Sequence, residues 1–147
     1  MTVANNEAAA LLVAQAPDAM IYAGLDGAIL GWNAAAERVF GHPVTEMLGK
    51  SLDEIIPEPM RQAHWAGYDR ALADGHVQPK FLGTALPTRV RRADGAEIFV
   101  ELSFGIIQDA SGVAIGAVAH ARDITERFER DRTMRRRLRE LEQTAGA

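Results

Sequence analysis

The sequence predicts an α+β fold built on an antiparallel sheet. Two observations carry that reading. Glycine-rich turns divide the chain into two short strands, a block of short helices and three further strands. At Gly75 the apolar period changes from 3.6 residues to 2. The 147 residues suit one domain, which would bury about 70% of its extended-chain surface on folding.

Taken in order, Glu7 to Gln15 is rich in alanine and leucine and reads as a helix capped by Asn5 or Asn6 and stopped at Pro17-Asp18. Ala19–Ala23 and Ala28–Trp32 flank Gly24-Leu25-Asp26-Gly27, a hairpin signature. Asn33 caps a helix over Ala34–Phe40 that Gly41 closes. Pro43–Leu48 is a further short helix ending at Gly49.

Pro57 and Pro59 suit the start of a longer helix, and Asp74-Gly75 suits its end. On a helical wheel Met60, Ala63, His64, Gly67, Tyr68 and Ala71 share one side, and Arg61, Gln62, Trp65 and Asp69 the other. The first side is expected to face the core. Its small residues would leave a groove beside the His64 imidazole, where a flat ligand fits.

Beyond Gly75, Phe81 to Val90 reads as an irregular or edge strand, because Gly83 and Pro87 interrupt it. After the Asp94-Gly95 turn, Ile98, Val100, Leu102, Phe104 and Ile106 alternate cleanly, the best strand signal in the chain. Asp109–Gly112 turns again and Val113–Arg122 forms the last strand. From Thr125 to Glu142 arginines alternate with acids around sparse apolar points at Phe128, Met134, Leu138 and Leu141. This is an exposed or self-pairing helix leaving the domain. The organisation expected is a flanking helix at 1–17, a domain at 18–126 and a C-terminal signalling or linker helix at 127–147.

Composition narrows the function. A net charge of −4 argues against a nucleic-acid footprint across the chain, and no apolar run approaches the length of a membrane span. With no cysteine there are no disulfides, thiolate metal sites or cysteine nucleophile. The N-terminus lacks signal-peptide features, so a cytoplasmic location is expected. Four scattered histidines do not make a zinc site, and no nucleophile-elbow or phosphate-loop motif occurs. His42 and His76 are expected in solvent. Catalysis is not expected.

Several strings together resemble the PAS sensor domain family: Pro17-Asp18-Ala19-Met20, Asp26-Gly27, Trp32 to Gly41, Gly49-Lys50-Ser51, Asp94-Gly95 and Arg122-Asp123-Ile124-Thr125-Glu126. The resemblance covers roughly residues 10 to 127 and implies a five-stranded antiparallel sheet with short helices across one face. It also implies a ligand held between the two layers and a signal carried by the helix after Asp123-Ile124-Thr125. A fold shared by many ligands does not choose the ligand.

The helix at 57–75 is most similar to that of heme-binding oxygen sensors of the FixL type, whose pattern is a proline, an arginine three residues before a histidine and a glycine eleven after it. Pro57 or Pro59, Arg61, His64 and Gly75 match it. The resemblance implies that His64 is the proximal ligand of a b-type heme iron. Met60, Gly67 and Tyr68 would adjoin it on the helix. Phe81, Leu82, Leu86, Leu102, Phe104, Val118 and His120 are the expected pocket residues on the strands, although His120 could equally stand at a dimer surface. FixL-type sensors also carry an arginine above the heme. Counting from His64 puts Thr84 at that place and counting back from Gly95 puts Leu86 there, with Arg89 in register with neither. An apolar distal side would suit carbon monoxide or nitric oxide better than stable oxygen. The expectation is therefore a homodimeric heme-based gas sensor acting on a downstream partner. A PAS domain for another small ligand, or a ligand-free dimerisation module, is the alternative.

Overall fold

The computed structural model describes residues 5–78 and 85–146 of the chain. Its elements run α1 (Asn6–Ala14), β1 (Ala19–Gly24), β2 (Ile29–Trp32), α2 (Ala34–Phe40), α3 (Val44–Met47), a 3₁₀ turn (Leu52–Glu54), α4 (Glu58–Asp74), β3 (Leu86–Arg91), β4 (Glu97–Gln108), β5 (Ala114–Asp123) and α5 (Thr125–Ala145). The strands form one antiparallel five-stranded sheet in the order β2-β1-β5-β4-β3. The α+β expectation and its element order are met. Phe81, Leu82 and Thr84, at the start of the third expected strand, lie outside the described residues.

Local chemistry explains the boundaries. The Asn5 side chain caps α1 by accepting from the Ala8 amide at 2.8 Å. Gly41 and Gly75 end α2 and α4 in the left-handed region, each at φ 77°. Pro59 sits in the first turn of α4, where its missing amide costs no helical hydrogen bond. Aspartates close the turns: Asp94 accepts from the Ala96 amide, and Asp109 from those of Ser111 and Val113.

The register sorts the sheet residues onto two faces, because residues opposite one another share a face. Ala19, Ile21 and Ala23 stand with Ala117, Ala119 and Ala121, which pair onward to Ile106, Phe104 and Leu102. Leu86, Thr88 and Val90 continue that face opposite Leu102, Val100 and Ile98. Phe40, Met47, Leu52 and Ile55 from the helical layer complete the core here, so this is the inner face. The outer face carries Met20, Tyr22, Val118, His120, Phe99, Ser103 and Arg89.

One side chain joins three elements. Asn33, 5% exposed, accepts at Oδ1 from the amides of Ala36 and Met20 and donates from Nδ2 to the carbonyls of Val13 and Asp18. It caps α2, fixes the start of β1 and tethers the end of α1 with four hydrogen bonds. Leu11, Leu12 and Val13 of α1 nevertheless remain exposed. At the other end of the chain α5 leaves over the outer face. Phe128 stacks on Phe99 with centroids 3.9 Å apart, and Arg127 pairs with Glu101 at 3.1 Å. Met134, Leu138 and Leu141 farther along are exposed.

Candidate functional site

The site is built on α4, and the helix is rotated from the orientation the wheel predicts. Ala63 and Gly67 are exposed, and space is open where a Gly67 side chain would be. His64, Trp65 and Tyr68 are half-buried instead, with Met60, Arg61 and Ala71. The physical reason lies in Arg61 and Trp65, which the wheel places on the side opposite the core-facing one. Arg61 donates through Nε to the Ile56 carbonyl at 3.0 Å and through Nη2 to that of Asp53 at 3.2 Å. The Trp65 indole Nε1 donates to Asp53 Oδ1 at 2.8 Å. Both residues satisfy their polar atoms inward and bury their apolar bodies, as amphipathic side chains do.

Trp65 rests on the β1–β2 turn. Gly27 has a φ of 79°, and a Cβ there would overlap the indole ring. One turn along α4, Tyr68 Oη donates to the Gly24 carbonyl at 2.6 Å. Burial, helped by Asp26 and the neighbouring Tyr22, pushes the Tyr68 phenol up to about 12.

His64 packs beside these two rings. Its centroid is 4.7 Å from that of Trp65 in an edge-on arrangement, and 5.8 Å from that of Tyr68. Its Nδ1 is buried without a hydrogen-bond partner among the described residues. Burial lowers the imidazole pKa from 6.5, and the Asp53 carboxylate opposes that shift without cancelling it. The ring is therefore neutral at pH 7, the form in which histidine binds a metal.

On the sheet, Leu86, Leu102 and Phe104 share the inner face, as a pocket wall requires. Leu102 and Tyr68 both pack against the core. Val118 and His120 do not belong to that wall. Their register partners are Tyr22 and Met20, on the outer face, because successive strand residues alternate sides. There they line a depression of about 190 Å³ with Ser103 and Gly105. Phe81 and Leu82 fall outside the described residues. Arg89 is likewise on the outer face and pairs with Glu97 at 3.4 Å, so it is not a distal donor. His42, expected in solvent, is half-buried with Nε2 unpartnered. Among the described residues no group of three or more histidine, cysteine, aspartate or glutamate side chains could hold a metal ion, and no helix is long and apolar enough to cross a membrane.

The residues present fit a heme bound through a single histidine. A neutral imidazole stands on the half-buried side of α4 with Nδ1 buried and unpartnered, so Nε2 is the nitrogen it would offer to iron, and the sheet's inner face carries apolar side chains. The residues that sequence reasoning missed are Trp65, Asp53 and Gly27. The available signal was Trp65 itself, since a tryptophan in mid-helix usually finds a buried seat for its ring.

Comparison with known proteins gives a consistent family. The model of a family described as PAS fold matches residues 13–129. The sensor protein FixL of Bradyrhizobium diazoefficiens is 33% identical over 112 residues, covering 75% of this chain and 21% of FixL. An uncharacterised protein of Azorhizobium caulinodans is 33% identical over 122 residues, 81% of this chain and 16% of that protein. The chain thus spans about a fifth or less of the curated relatives it matches. Among solved structures, the PAS domain of a Colwellia psychrerythraea protein superposes with a TM-score of 0.70 at 20% identity, covering 82% of this chain and 97% of that one. An RNA-binding light-oxygen-voltage receptor does so with a TM-score of 0.72 at 22% identity, covering 97% of this chain and 39% of the receptor. At those identities the structural likeness speaks for the fold.

Proposed function

The chain belongs to the PAS fold family of sensory domains in signal transduction, and we propose that it holds a b-type heme through His64 and reads a diatomic gas. The observation that carries this reading is the half-buried His64 with its Nδ1 unpartnered, on the helix whose sequence pattern resembles that of FixL-type sensors. The similarity to FixL over 75% of the chain supports it.

Heme held by His64 would supply an iron able to bind a diatomic gas. The protein residues then have three tasks. His64 binds as a neutral base. Leu86, Leu102 and Phe104 would offer apolar side chains and no charged group to the bound gas, which favours carbon monoxide or nitric oxide over oxygen. The outward-facing Arg89 leaves that wall without a cation from β3.

The third task is transmission. β4 carries part of the wall and also holds the start of α5. The Ile124 amide donates to the Phe99 carbonyl at 2.9 Å, and the Phe99 amide donates to Thr125 Oγ1 at 3.0 Å. Any shift of β4 is thereby passed to α5, and a coupling of about 1–3 kcal/mol suffices to bias two states. A second copy of this chain is the proposed partner at the apolar surface formed by Leu11, Leu12 and Val13 of α1 and by the Phe128 region.

Titration of the protein with hemin, beside His64→Ala, tests the reading. A sharp Soret band saturating at one equivalent in the wild type and absent from the variant is expected. A broad free-hemin band in both would end the heme proposal. The contact of the His64, Trp65 and Tyr68 rings with one another would then favour a packed core in a ligand-free module.

A further inference from the structure

A metal-binding histidine is usually held in orientation by a hydrogen bond from its second nitrogen to a carboxylate or carbonyl. His64 lacks that support: Nδ1 is buried with no partner among the described residues. The Asp53 carboxylate, the acid nearest in effect, is engaged elsewhere, accepting from the Trp65 indole at 2.8 Å.

We infer that Trp65 and Tyr68 are the positioning residues of His64, acting as two tethered rings that fix the imidazole plane in place of a hydrogen bond. This rests on the reading of His64 as a ligand-binding residue. Each ring is fixed independently. Trp65 is held by Asp53 on one edge and seated on Gly27. Tyr68 is held by the Gly24 carbonyl at 2.6 Å. The rings meet each other at 5.3 Å, edge to face, and so present a braced pair against which the imidazole packs. Their anchors lie outside α4, in the β1–β2 turn and the 3₁₀ turn. The orientation of His64 is thus set by these two turns, acting through neighbouring rings of its own helix. It follows that these rings, and not an acceptor for Nδ1, are what a ligand bound to His64 depends on.

The test uses the whole chain with isotope-labelled histidine, the His64 ring signal being assigned by its loss in His64→Gln. Wild type should show one ring orientation, with cross-relaxation to both the Trp65 and Tyr68 rings. Trp65→Phe keeps a ring but loses the Asp53 tether, and Trp65→Leu loses both. The ring is expected to loosen stepwise along that series. Hemin affinity should fall in the same order, by about tenfold or more in Trp65→Leu, in line with the loss of other supporting partners. The iron–histidine stretching band should broaden or shift with it. Wild-type affinity, band and ring orientation in a folded Trp65→Leu protein would overturn the inference. If Trp65→Leu does not fold, Trp65→Phe and Tyr68→Phe decide it by the same readouts. If wild type takes up no hemin, the heme reading fails, and the ring orientation in the ligand-free protein alone decides the positioning role.

Discussion

Tyr68 Oη lies 2.6 Å from the Gly24 carbonyl, which ties the middle of α4 to the end of β1. The phenol must keep its proton to donate there. Its pKa is pushed up to about 12, above the ordinary 10, so the stabilisation is fully present below pH 10 and is lost as the pH rises through 12. Urea unfolding followed from pH 8 upward should therefore show a loss of stability beginning near 10. In Tyr68→Phe that step should disappear, and stability at pH 7 should fall by about 1 kcal/mol for the missing hydrogen bond. An alkaline profile identical in the two proteins would remove Tyr68 from this role.

Gly27 and Gly112 separate two costs that a glycine substitution can carry. Both have positive φ, at 79° and 81°. A Cβ at Gly27 would enter the Trp65 ring, whereas at Gly112 there is open space. Gly112→Ala should therefore cost only the left-handed backbone penalty, about 1–2 kcal/mol. Gly27→Ala should cost about 1–3 kcal/mol more, through displacement of the indole. Equal midpoints in urea would mean that Trp65 does not rest on the turn.

These two sites also mark what could be seen in the sequence. The hairpin, the capped helix after Asn33 and the alternation in β4 depend on local chemistry, and each appears where turn and period signals put it. The face of α4 does not depend on local chemistry. Its orientation is decided by Asp53 and Gly27, which lie 12 and 38 positions before Trp65, and a wheel that sorts residues by polarity sends Trp65 and Arg61 outward. The side of His120 was open for a similar reason: a strand's alternation gives two faces but does not say which one the helices cover. Only the pairing of Ala119 with Ile21 and Phe104 resolves it.

His64 should leave its mark at acid pH. Burial depresses its folded pKa below 6.5, so the stability linked to its neutral form is complete above 6.5 and is lost as the pH falls through the folded value. His64→Gln should flatten that part of the acid limb of the stability profile. Asp53→Asn should steepen it, because the carboxylate is the group that partly restores the proton. Unfolding midpoints at pH 7.5 and 5.5 for the three proteins check this, and a slope unchanged in His64→Gln would contradict it.

Asn33 offers a way to separate α1 from the rest of the fold. Its Oδ1 serves the α2 cap and β1, while its Nδ2 serves the carbonyls of Val13 and Asp18. Asn33→Ala strands all four groups and should destabilise the protein by about 3 kcal/mol, combining a lost cap with buried unpaired donors and acceptors. Asn33→Asp keeps both acceptor bonds but sets a carboxylate oxygen against two carbonyls. Its effect should concentrate on α1, with hydrogen exchange rising at residues 6–14 while the amides of Ala36 and Met20 stay protected. If the proposed dimer is held by Leu11, Leu12 and Val13, the same variant should shift light-scattering mass toward the monomer. Loosened α1 amides in a protein of unchanged mass would place the dimer contact elsewhere, at α5 or the outer sheet face.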